Sequence, residues 1–204
     1  MIEIQPAARY NSTMSFTQNA YYGQKFARLA LSGEILAAKT FEECEFQQCS
    51  FINCKFKQCR FLTCEFHECS LSAVMPIDCR FNGVKFFRSK VIGLDWTKTQ
   101  AVRDLEFKEC QVDYSNFKLM SLAKLKMIDC QARETDFTEA DLSGGDFKKT
   151  DFEKAVFFKA NLSGADFQGA RNYFIDARST ILKKTRFSLP EALVLLKSLD
   201  IILD

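Results

Sequence analysis

Residues 41–71 read FEECEFQQCSFINCKFKQCRFLTCEFHECSL. Phe41, Phe46, Phe51, Phe56, Phe61, Phe66 and Leu71 recur every five positions. Cys44, Cys49, Cys54, Cys59, Cys64 and Cys69 each stand two residues ahead of the next member of that series. A period of five fits neither ordinary element. On an α-helix five residues advance the side chain by about 140° net, which smears the Phe series around the cylinder. On a strand five is odd, so successive Phe side chains would point to opposite faces. The consistent solution is a chain that runs extended for about three residues, turns a corner and repeats. Four corners close a square coil, and stacked coils bury every Cys (position i−2) and Phe (position i) on the axis. The stretch therefore predicts an all-β solenoid.

The same beat continues as ADLSG at 140–144, TDFEK at 150–154, ANLSG at 160–164 and ADFQG at 165–169. These segments match the motif A(D/N)Lxx, and the chain from about Leu31 to Phe187 resembles the pentapeptide repeat family. That resemblance implies a right-handed quadrilateral β-helix with about twenty residues per coil, whereas the inward pairing and the five-residue corner come from the spacing itself.

The 204 residues suit one domain, and 21 Phe with 47% hydrophobic content suffice for a long core. The net charge of +2 announces neither a nucleic-acid nor a membrane partner. The opening MIEIQP has neither a basic start nor an apolar run, and no apolar stretch is long enough to span a bilayer. A cytoplasmic protein is expected. All nine cysteines, including Cys79, Cys110 and Cys130, fall at i−2. CxxC-type clusters are absent, so no metal site is expected. Stacked partners such as Cys44 and Cys64 would have parallel Cβ vectors, poor geometry for a disulfide. Cys is read instead as a small buried hydrophobe in the slot that Ala fills at 140, 155, 160 and 165.

Three segments follow. Residues 1–24 miss the beat and are expected to form an arm or cap; 25–187 form the β-helix; 188–204 form a C-terminal capping helix and dimerisation tail. Within the helix, Pro76 takes an inward position and has no N–H for a ladder, which predicts a bulge or local loop there. Eleven residues separate Trp96 from Phe107 where ten would keep phase, so 97–104 carry one inserted residue and a predicted bulge. Seven of the eight glycines fall at the corner position i+2, where φ > 0 is expected; Gly145, at i−2, is read as leaving extra room inside. Ser188 is the expected N-cap of the final helix, with Glu191 completing a capping box. Leu189, Ala192, Leu193, Leu196 and Leu199 would form the face that closes the solenoid. Leu193, Val194, Leu196, Ile201, Ile202 and Leu203 are the expected interface of a homodimer joined at its C-terminal ends.

No catalytic constellation is legible. His67 is the single histidine and lies outward, while the cysteines point inward. Neither an enzyme nor a cofactor is expected. Function therefore has to reside in the outer surface. GLDWTKTQ (93–100), ARNYFID (170–176) and FSLPEALVLLKSLDI (187–201) resemble the topoisomerase-protecting pentapeptide proteins, the quinolone-resistance (Qnr-type) and albicidin-resistance proteins, the latter more closely. The resemblance implies a protein that binds DNA gyrase or topoisomerase IV and relieves poisoning by fluoroquinolones or albicidin, with DNA mimicry as the usual explanation. A charge of +2 departs from a whole-length DNA mimic, which should be acidic. What remains is a local surface. Candidate contacts are Trp96, Thr97, Lys98, Thr99, Gln100, Arg103 and Asp104 at the insertion, and the acids Asp136, Glu139, Asp141, Asp151 and Glu153. The alternative is a structural or adaptor solenoid serving another protein; direct nucleic-acid binding is not expected.

Overall fold

The structure, a computed structural model, describes residues 16–199, and in it the chain winds into a right-handed quadrilateral β-helix of about 8 turns. Short parallel strands stack into sheets along its faces. One sheet joins Ala20–Tyr22, Thr40–Glu42, Arg60–Leu62, Arg80–Asn82 and Ala101–Arg103 in that order. A second runs through Lys25–Ala27, Glu45–Gln47, Glu65–His67, Lys85–Phe87, Glu106–Lys108 and Lys126–Ile128. Phe41 pairs with Phe61, and Phe61 with Phe81, a register of one coil. The first strand begins at Ala20 and its Tyr21 is buried against Phe41, so the coil starts before the boundary expected at residue 25. Tyr fills the inward slot as well as Phe.

The predicted lining is observed. Cys44, Phe46, Cys49, Phe51, Cys54, Phe56, Cys59, Phe61, Cys64, Phe66 and Cys69 are all buried. Rings one coil apart stack: Phe46 on Phe66 at 4.5 Å and 5°, Phe66 on Phe86 at 4.9 Å and 18°. Offset stacking of this kind adds to the area term, so each column contributes more than burial alone. Corners take left-handed φ whether or not they are glycine, with values such as 53° at Glu43 and 66° at Gly83.

Cysteine does more than fill space. The Cys69 thiol donates to the Phe46 carbonyl at 3.4 Å, and its sulfur accepts from the Cys49 amide at 3.3 Å. Ser89 and Thr150 make the same two bonds with their hydroxyls, to Phe66 and Met127 below and from the amides of Cys69 and Cys130. The i−2 slot thus satisfies backbone groups that a square corner leaves out of the ladder. All nine thiols are free. Burial pushes the Cys64 thiol up to about 12, which makes it a poor nucleophile.

Two expectations are corrected here. Pro76 causes no bulge in its own coil: it is buried and pairs in register with Phe56 inside the strand Met75–Ile77. The consequence appears one coil further on. In regular coils the amide of an inward residue donates to the carbonyl nineteen positions ahead, as Leu71 does to Lys90 at 2.7 Å. Pro76 has no such donor, and the Asp95 carbonyl in that position accepts instead from Lys98, at 3.3 Å, closing a 3₁₀ turn over Trp96–Lys98. The Asp78 amide then reaches Lys98 rather than Thr97, which places the extra residue between Trp96 and Gln100. Gly145 leaves no free space either, because a Cβ built there would lie 2.5 Å from the Phe147 ring.

The C-terminal segment is also corrected. Glu191–Leu193 form a 3₁₀ turn and Val194–Lys197 a single α-turn. Ser188 does not cap it, since its hydroxyl accepts from the Gly169 amide at 2.9 Å. Val194 and Leu195 pack on the core, whereas Leu189, Leu193 and Leu199 are exposed. A tight 3₁₀ start rotates the apolar stripe away from the face that an unbroken α-helix would present. Ser198 secures the turn by accepting from the Ala177 amide at 3.0 Å and donating to the Leu195 carbonyl at 2.7 Å.

Candidate interaction surface

The inserted residue reshapes one edge of the rod. Thr97, Lys98, Gln100, Arg103 and Asp104 stand at the surface and Thr99 is half-buried, as a contact site requires. Trp96 does not: it is fully buried, stacked on Phe117 at 5.6 Å and 12°, and it lines the floor of a groove rather than projecting from it. Gln100 occupies the i−2 slot that Cys holds elsewhere, yet it turns outward and accepts from the Arg80 guanidinium at 2.7 Å. With that slot emptied of a lining side chain, the wall opens into a groove of about 620 Å³ between Thr97–Arg103 and Asn116–Ser121.

The ladder is interrupted along the same edge. Below, Gln100 bonds to Cys79, and Ala101–Arg103 pair with Arg80–Asn82. Above, bonding holds at Trp96 to Asn116 (3.0 Å) and returns only at Lys126 to Leu105, stretched to 3.3 Å. Between these points the strand Ala101–Arg103 makes no backbone bond to residues 121–123 among the described residues. A smaller hollow of about 200 Å³ separates Val102–Leu105 from Ser121–Leu125.

Charge is distributed unevenly. Some bases on the other faces pair across coils, as Lys85 does with Glu65 at 3.2 Å and Lys126 with Glu106 at 3.1 Å. Arg60, Arg80, Arg103 and Lys118 lie along the groove and its continuation down the same face, and none makes an ion pair among the described residues. Lys98 beside them meets Asp95 at 3.9 Å.

The predicted acidic face is mostly taken up by its own backbone. Asp136 and Asp141 accept from the amides of Thr138 and Ser143 at 2.8 and 3.1 Å, Asx-type bonds that shape each corner. Asp151 is not a surface residue: its side chain is 2% exposed, held by Arg133 at 2.8 Å, Asn172 at 2.8 Å and the Glu153 amide at 3.2 Å. Burial alone would raise its pKa, but the bonds from Asn172 and Arg133 outweigh it and hold the carboxyl below the usual carboxylate range. Glu139 and Glu153 remain exposed, the latter 3.8 Å from Arg133.

At the C-terminal end Leu193 is exposed, while Val194 and Leu196 are half-buried. Ile201, Ile202 and Leu203 lie outside the described residues. Leu189 and Phe174, at 76% and 59% exposure, add apolar surface that sequence reasoning did not assign to an interface. No group of potential metal ligands occurs among the described residues, and no described helix is long and apolar enough to cross a membrane.

Comparison with known proteins agrees with this architecture. Two family models match, a pentapeptide repeat region over residues 39–117 and pentapeptide repeats over residues 135–171. No curated protein sequence matches the chain. Among solved structures, a trypsin-treated form of QnrB1, a plasmid-mediated fluoroquinolone resistance protein, superposes with a TM-score of 0.72 at 19% identity, covering 88% of this chain and 100% of that one. A second trypsin-treated QnrB1 gives 0.70 at 20% identity, covering 88% and 99%. HetL from Nostoc sp. strain PCC 7120, involved in heterocyst differentiation regulation, gives 0.36 at 15% identity, covering 83% and 89%. The two models together span more than half of the sequence, and the coils they describe are those of the structure: the chain belongs to the pentapeptide repeat family.

Proposed function

We propose that this protein is a non-enzymatic binding protein of the cytoplasm that engages a bacterial type II topoisomerase, DNA gyrase or topoisomerase IV, and protects it from poisons such as fluoroquinolones or albicidin. The observation that carries the reading is the superposition on QnrB1 over 88% of the chain. The working form is a homodimer joined through C-terminal ends. Exposed Leu189 and Leu193 beside the closing turn support it. Purified protein added to gyrase supercoiling and cleavage assays, with and without each drug, should restore supercoiling and lower cleavage. No binding to either enzyme and no protection would remove the proposal.

A specific observation favours a second reading, an adaptor solenoid for a different protein. DNA mimicry needs a free acidic face, and here Asp136, Asp141 and Asp151 are bonded within the coil while a basic edge stands open. Affinity capture that recovers another partner, with gyrase absent, selects that reading.

A further inference from the structure

The basic groove at the irregular coil has a chemistry that goes beyond the identity of any one partner. We propose that it docks an extended, acidic segment of a partner polypeptide, which adds as a strand along the open edge of Ala101–Arg103. Three observations converge. The strand has a paired lower edge, to Arg80–Asn82, and an unpaired upper one, so the amides of Val102 and Asp104 offer donors to an added strand. One side is apolar where such a strand would lie, formed by Leu119, 66% exposed, and half-buried Met120. The rim carries Arg80, Arg103 and Lys118 without ion-pair partners among the described residues.

Alternate side chains of an extended segment face opposite ways. One set would meet Leu119 and Met120, and the other would present carboxylates to the guanidinium groups, which bind them bidentately. Asp78 and Asp104 border the same trough and would repel an acid placed next to them, so the carboxylates belong over Arg80 and Arg103. Nucleic acid fits less well. Sequence-independent binding of a phosphate backbone rests on neutralising about six to ten charges, whereas Arg60, Arg80, Arg103 and Lys118 are four, and half of the groove is apolar.

The chain's single tryptophan lies directly beneath the groove, so its emission can report occupancy. The full-length protein is titrated with a peptide of alternating Glu and Val, followed by Trp96 emission and, for a labelled peptide, by anisotropy. Controls are the same peptide with Gln for Glu, the acidic peptide N-methylated on alternate amides, and a single-stranded oligonucleotide. The expected result is saturable binding of the acidic peptide, about tenfold weaker for the Gln version, matching the loss of a charge-assisted contact. Methylation and the R80Q/R103Q double variant should weaken it similarly. Both arginines are exposed, so the variant's unfolding temperature should stay unchanged. Equal binding of the Glu and Gln peptides overturns the proposal. So does indifference to methylation, or arginine-dependent binding of the oligonucleotide with none of the peptide. None of these outcomes depends on whether gyrase is protected.

Discussion

Trp96 lies one coil above Pro76, and the ladder between their coils is one hydrogen bond short because the lower residue has no amide proton. The inserted residue accommodates that deficit: its 3₁₀ turn brings the Lys98 amide to the stranded Asp95 carbonyl. The proline and the phase shift, twenty residues apart in sequence, are one feature in space.

Deleting Thr97 alone should therefore destabilise the chain, since Asp95 loses its donor while Pro76 cannot replace it. Deleting Thr97 together with Pro76→Val should recover about 1 kcal/mol, the worth of a restored hydrogen bond. Urea unfolding of the four members of the cycle measures this. Additive effects would separate the two residues.

Gly145 answers to a packing constraint. Gly145→Ala should cost about 1–3 kcal/mol, because the new methyl meets the Phe147 ring and the Leu142 carbonyl. Phe56→Ala, which opens a cavity on the axis, should cost about 3–5 kcal/mol. Thermal denaturation with unchanged circular dichroism at low temperature distinguishes both from misfolding; a neutral Gly145→Ala would contradict the contact.

Asp151 should make stability acid-sensitive. Its folded-state pKa is depressed, so its contribution is fully present above the unfolded value of about 3.9 and is lost as pH falls through the lower folded value. Asp151→Asn should be less stable than the parent at pH 7, with the gap closing below about pH 4. A gap of constant size across that range would mean that the charge contributes nothing.

Leu189→Glu with Leu193→Glu should give a monomer of unchanged melting temperature, since both side chains are exposed. Val194→Glu should instead lower the melting temperature, because Val194 packs on the core. Multi-angle light scattering supplies the masses, and a dimer that survives the double substitution would move the interface elsewhere.

The five-residue beat by itself determined the square coil, the inward Cys and Phe columns, the left-handed corners and the position of the extra residue. Each of these follows from the stereochemistry of neighbouring residues, and repetition makes a local rule global. Distance in sequence hid the rest. That Cys69 bonds to Phe46, that Pro76 acts on Asp95, and that Asp151 is enclosed by Arg133 and Asn172 all require residues about one coil apart to meet. Spacing shows which side of the strand a residue takes, yet not whether an outward side chain finds a partner. Only stacking one coil on the next enclosed Asp151 and left Arg60, Arg80 and Arg103 without ion pairs among the described residues, because ion pairs form between coils, and a linear reading runs along them.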